Sequence, residues 1–190
     1  KTMPKRISEV FEISHEALVN EGALDSFIDL DSQFYIDPYL LRQTSIPELR
    51  ESHQRFTRYF EDVIRLLDAS EHEYDRLYRE AGGKLFFKEL EYVPLGYSTT
   101  SDSVGSGIGR KLATQLTETA FEIVKAGIKD PVIFELVGLF EKGIGADRIS
   151  DMTVRIILPD LLKFSERVAH NLALKTRQIT YRGESFQLPL

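Results

Sequence analysis

Apolar positions recur at helical spacing through most of the chain, and the breaks between them are marked by proline, glycine and capping residues. Ile7, Val10, Phe11, Ser14 and Leu18 fall on one face of a segment over 6–20, which predicts a short amphipathic helix. Phe27-Ile28 and Phe34-Tyr35-Ile36, separated by a polar stretch, predict a small β-hairpin near 27–37. Ser45 and Glu48 form a capping box with Pro47 in the first turn. The stripe Phe56, Tyr59, Phe60, Val63, Leu66, Leu67 follows, so a helix should run from there to about Asp68. Ser70 and Glu73 repeat the box ahead of Tyr74, Leu77 and Tyr78, with Gly82-Gly83 as the expected stop. Pro94 and Gly96 disfavour helix in the next stretch and favour a short strand near 89–97.

The second half reads as helices. Leu112, Leu116, Ala120, Ile123 and Val124 line a helix that ends at Gly127. Asp130-Pro131 opens another, with Val132, Leu136, Leu139 and Phe140 behind it and Gly143 and Gly145 breaking it. Ile149, Met152, Ile156 and Ile157 predict a helix stopped by Pro159, and Leu161, Leu162, Phe164, Val168 and Leu172 predict a last one. The tail from 177 to 189 is β-prone, turning at Arg182-Gly183. The expected fold is mainly α with a minor β component (α+β), in one domain over 1–190. Its parts would be an N-terminal helix and hairpin at 1–46, a helical pair with strand and glycine loop at 47–109, a helical core at 110–175, and the tail at 176–190. The apolar ending Gln187-Leu188-Pro189-Leu190 leads us to expect a fragment of a longer protein, because termini are normally solvated.

Composition narrows the chemistry. The 190 residues contain no cysteine, which removes disulfides, thiolate metal sites and thiol nucleophiles. No run approaches the ~18 apolar residues of a membrane span. The basic start, Lys1 to Arg6, lacks the apolar stretch of a secretory leader, so no membrane association and a cytoplasmic location are expected. Residues 1–83 carry 10 basic and 17 acidic side chains, and 84–190 carry 14 and 13. That balance does not support nucleic acid as a partner, since such affinity rests on displacing phosphate counterions with Lys and Arg.

Two segments offer candidate sites. Gly105, Gly107 and Gly109 with Arg110 and Lys111 lead into a helix, and free N–H groups at a helix start attract phosphate. The spacing matches neither the P-loop nor the dinucleotide fingerprint, so a polar glycine loop is the simpler alternative. Asp147 and Asp151, four apart, would stack on one helical face. With Glu141 from the preceding helix they could hold Mg²⁺, while Arg148 met a phosphate. Acidic residues in a first turn more often serve the helix itself. Asp29, Asp31 and Asp37 lack the EF-hand glycine and suit a solvated hairpin face. His15, His53, His72 and His170 have no metal-ligand spacing and are expected on helix surfaces. Lys88, Glu89 and Glu91 do not complete the acid plus Glu-x-Lys set of restriction-like nucleases, and no GxSxG occurs.

Phe34-Tyr35-Ile36-Asp37-Pro38, Leu95-Gly96-Tyr97-Ser98 with Gly105-Ser106-Gly107, and the run Gly143 to Thr153 together resemble the N-terminal region of uncharacterised bacterial proteins. Those proteins are encoded near restriction-like and phage-defence genes. The resemblance implies a bacterial intracellular protein with further sequence beyond Leu190, and assigns no residue a role. We therefore expect a recognition or assembly module without complete catalytic machinery and without a cofactor. Its partner would be the remainder of its own polypeptide or a partner subunit. The alternative is a Mg²⁺-dependent nuclease or phosphodiesterase built on Asp147, Asp151, Glu141 and Arg148.

Overall fold

The computed structural model describes residues 3–28, 34–87 and 108–190. It is mainly helical with one C-terminal hairpin, as the apolar spacing requires. Several element boundaries differ from the sequence reading, each for a local reason.

The N-terminal segment is two helices, α1 (Ile7–Val10) and α2 (His15–Asn20). Glu12 takes a left-handed φ of 54°, which ends α1, and Ser14 restarts the chain by accepting from the Ala17 N–H at 3.1 Å. The expected hairpin near 27–37 does not form among the described residues. Phe27 bridges to Arg6, and the Ile36 N–H donates to Ser150 Oγ at 2.9 Å, so the two apolar runs pair elsewhere. Residues 29–33 and the expected strand near 89–97 lie outside the described residues.

Where the Ser45/Glu48 box was expected to open a helix there is a 3₁₀ turn, Pro47–Leu49, with no side-chain cap, and the long helix α3 begins only at Ser52, ending at Ala69. Its buried face is Phe56, Phe60, Val63, Ile64 and Leu67, the 3–4 spacing read from sequence. Helix α4 (Arg76–Leu85) starts later than the Ser70/Glu73 box suggests. Asp75 caps it, accepting from the Tyr78 N–H at 2.8 Å. It also continues through Gly82-Gly83. A Cβ at Gly82 would lie 3.2 Å from Thr117 Oγ1, so the glycine is there to let α4 approach α5 (Arg110–Lys125). Packing gained at that approach outweighs glycine's helix penalty of about 1 kcal/mol.

After Gly127, whose φ of 98° closes α5, comes the short α6 (Val132–Glu135) and a 3₁₀ turn, Val137–Leu139. The longer helix expected to reach Phe140 stops at Glu135, and Gly138 in the following turn lies so close to the chain that a Cβ there would sit 2.8 Å from the Ile144 carbonyl oxygen. Helix α7 (Ala146–Asn171) corrects the sequence reading most. It is one continuous helix of 26 residues with Pro159 inside it, where two helices were expected. An interior proline costs about 3 kcal/mol. Burial on both sides offsets that cost, through Met152, Ile156 and Ile157 before it and Leu158, Leu161 and Leu162 after it.

Strands β1 (Thr176–Tyr181) and β2 (Glu184–Pro189) form the expected antiparallel hairpin about Arg182-Gly183, both residues with positive φ. The apolar tail has a packing use, since Phe186 and Leu188 are buried with Leu158 and Leu162. The main core lies among α3, α4, α5, α6 and the first half of α7, with the Phe60 and Phe134 rings stacked 4.2 Å apart. No described helix is long and apolar enough to cross a membrane.

Candidate functional site

Asp147, Arg148 and Asp151 lie on the first turns of α7, and Glu141 lies in the bend that precedes it. Gly145 takes the capping position and Asp147 lies in the first turn, half-buried, so it favours the positive helix end without being the cap. Arg148 donates to the Gly143 carbonyl, closing the loop that precedes the helix. Glu141 is buried, and its Oε2 accepts from the Thr119 hydroxyl at 2.7 Å, a partner on α5. Among the described residues no group of three His, Asp or Glu side chains could hold a metal ion. Gly109, Arg110 and Lys111 are exposed at the start of α5, with the Arg110 guanidinium over the Phe86 ring; Gly105 and Gly107 lie outside the described residues.

Three polar clusters that the sequence reading missed are built from residues distant in the chain. Asp160, buried on α7, accepts from Ser52 Oγ at 2.8 Å and from Arg55 Nε and Nη2 at 3.0 and 3.1 Å, which ties α7 to α3 immediately after the proline. Asp25 accepts from the Ser8 N–H at 2.9 Å and the Ser8 hydroxyl at 2.8 Å, and lies 2.9 Å from His15 Nδ1. Burial pushes the Asp25 carboxyl up, but the Ser8 N–H, His15 and the Ser8 hydroxyl together hold it below its ordinary value. Ser8 and His15 both address the carboxylate and not each other, so the trio joins α1 to α2 without the geometry of a nucleophile and its base. The third cluster corrects the surface position expected for His53. Its side chain is only 17% exposed and lies 2.9 Å from Glu135, which also receives Arg42.

The same Arg42–Glu135 contact fixes the most unusual surface of the molecule. The Arg42–Glu135 ion pair ties the segment 34–42 to the end of α6, and the Ile36 N–H ties it to Ser150 on α7. Phe34, Tyr35, Tyr39, Leu40, Leu136, Leu139 and Phe140 are all exposed there, Leu139 by 82%. Helical spacing placed Leu136, Leu139 and Phe140 on a buried face. The helix ends at Glu135 and a 3₁₀ turn follows, so these three side chains face water. The sequence signal was present only as an apolar density, Phe134-Glu135-Leu136-Val137-Gly138-Leu139-Phe140, higher than one helical face needs.

Two tyrosines, Tyr59 partly buried and Tyr78 buried, carry shifted hydroxyls. Burial pushes Tyr59 up to about 12, opposed in part by Arg155 and Arg182, and its hydroxyl donates to the Lys84 carbonyl at 2.6 Å. Burial, with Glu118, Glu73 and Tyr74 nearby, raises Tyr78 to about 12.

Over residues 12–188 the chain matches the family described as Domain of unknown function (DUF8370), and it belongs to that family. No curated protein and no solved structure matches it.

Proposed function

We propose that the domain is an assembly module that joins copies of its own chain through the strip formed by residues 34–40 and 136–140. The setting is the bacterial, intracellular one that the resemblance implies. The observation supporting this reading is seven large apolar side chains exposed on two segments that the Arg42–Glu135 ion pair ties together. Contiguous apolar surface of this kind is costly in water and is characteristic of association sites. Its centre is aliphatic and aromatic, and Arg42 is already neutralised by Glu135, so the strip complements itself without charge matching.

Sedimentation equilibrium tests the reading. The wild-type chain should dimerise with rising concentration, and a variant carrying Leu136→Asp and Leu139→Asp should remain monomeric with an unchanged helical circular dichroism spectrum. A wild-type chain that stays monomeric throughout, or a folded double variant that dimerises equally well, would overturn it.

A further inference from the structure

The two edges of the C-terminal hairpin are not equivalent. The two-residue turn makes Tyr181 and Glu184 a hydrogen-bonded pair, and pairs of this kind then alternate along the ladder. Ile179 with Phe186 and Arg177 with Leu188 follow, and the Leu190 N–H donating to the Lys175 carbonyl at 3.0 Å continues the same phase. The backbone groups of Thr176, Gln178 and Thr180 on β1, and of Ser185, Gln187 and Pro189 on β2, therefore point outward.

On β2 this edge is largely closed. The Gln187 N–H donates to Glu166 Oε1 of α7 at 2.7 Å, and Pro189 has no N–H. Among the described residues nothing on β1 meets the outward groups, and the sheet has only these two strands. Charge is divided in the same way. The run Lys175 to Arg182 contains Lys175, Arg177 and Arg182 and no acidic residue, in a chain whose net charge is −6. Lys175, Arg177 and Arg182 are exposed.

We propose that the β1 edge binds an extended acidic segment of a partner protein, which adds to the sheet as a third strand. Outward N–H and C=O groups at Thr176, Gln178 and Thr180 supply the backbone pairing, and the cations select carboxylates at alternate positions of the incoming strand. A second copy of β1 is a poor occupant, because it brings a like-charged run alongside this one. The proposal concerns a different surface from the apolar strip and stands without it.

The test uses a short synthetic peptide alternating Glu and Val, and the same peptide with Gln for Glu, followed by fluorescence anisotropy and amide exchange. The acidic peptide should bind, protect the Thr176, Gln178 and Thr180 amides, and lose affinity with salt. Gln178→Pro removes an outward N–H that the β1–β2 ladder does not use, and should abolish binding while leaving the amides of Ile179 and Phe186 protected. Arg177→Glu should weaken the acidic peptide by roughly tenfold and leave the hairpin intact. Absence of binding would overturn the proposal and leave the cations as guards of an open edge. Equal binding of both peptides, or equal binding by Arg177→Glu, would overturn the acidic selectivity. Undiminished binding by a folded Gln178→Pro would overturn the edge.

Discussion

The molecule has two cores of different construction, and α7 belongs to both. The first half of α7 packs into a large apolar interior with α3, α4, α5 and α6, where Phe56, Phe60, Leu67, Phe134 and Met152 are almost wholly excluded from water. The second half supports a small cluster, Leu158, Leu162, Phe186 and Leu188, covered by a two-stranded hairpin. A hairpin alone is marginal in water, so this second unit depends on the helix beneath it. The polar joint at Asp160 lies between the two. Large cores set the stability of the whole domain, whereas small satellites open locally and leave surfaces such as the β1 edge accessible.

Truncation in each core is the strongest way to break this comparison. Phe60→Ala should cost about 4 kcal/mol in urea unfolding, because its stacked and tilted partners Phe134 and Phe56 cannot close the space. Leu188→Ala should cost about 2 kcal/mol and should raise hydrogen exchange in β1 and β2 while α3 and α5 stay protected. Equal loss of protection in both regions would show one cooperative unit. Asp160→Ala sharpens the role of the joint. It strands the buried Ser52 hydroxyl but leaves Arg55, which is 47% exposed, able to reach water, so about 2 kcal/mol should be lost in urea unfolding.

The smallest effect is on pH dependence. The Tyr78 N–H pulls Asp75 down, burial opposes it, and the Glu71 N–H, the Ser70 hydroxyl and the His72 N–H add to the pull, leaving the carboxyl at about 2. A folded value below the ordinary 3.8 means a stabilising contribution that is complete above that value and is lost as pH falls toward 2. Asp25, also lowered, has the same sign. Thermal melts should therefore show Tm falling as the solution is acidified through this window, and Asp75→Asn should flatten that slope.

Much of this architecture was legible in residue spacing. The faces of α3 and α5, the C-terminal hairpin and its Arg182-Gly183 turn follow from periodicity and turn chemistry, which act locally and so are written locally. Capping boxes were less reliable guides. Ser45 with Glu48 and Ser70 with Glu73 lie a turn or more before the helices they suggested, because a neighbouring 3₁₀ turn and the Asp75 cap define the starts. Asp147, Arg148 and Asp151 lie on α7, but Glu141 sits in the bend before it, outside any helix, and turns to Thr119, a contact that no spacing along the chain encodes.

Sequence by itself determined where apolar faces lie, that the fold is mainly helical, and that no cysteine chemistry is available. Tertiary structure alone decided that α7 runs through Pro159, that α4 runs through Gly82, and that Leu136, Leu139 and Phe140 face water. The first two outcomes are balances between a local cost of about 1–3 kcal/mol and burial or close approach against residues far away in the chain. Local preference is fixed by neighbours in sequence, but the term that overrides it exists only once the elements meet.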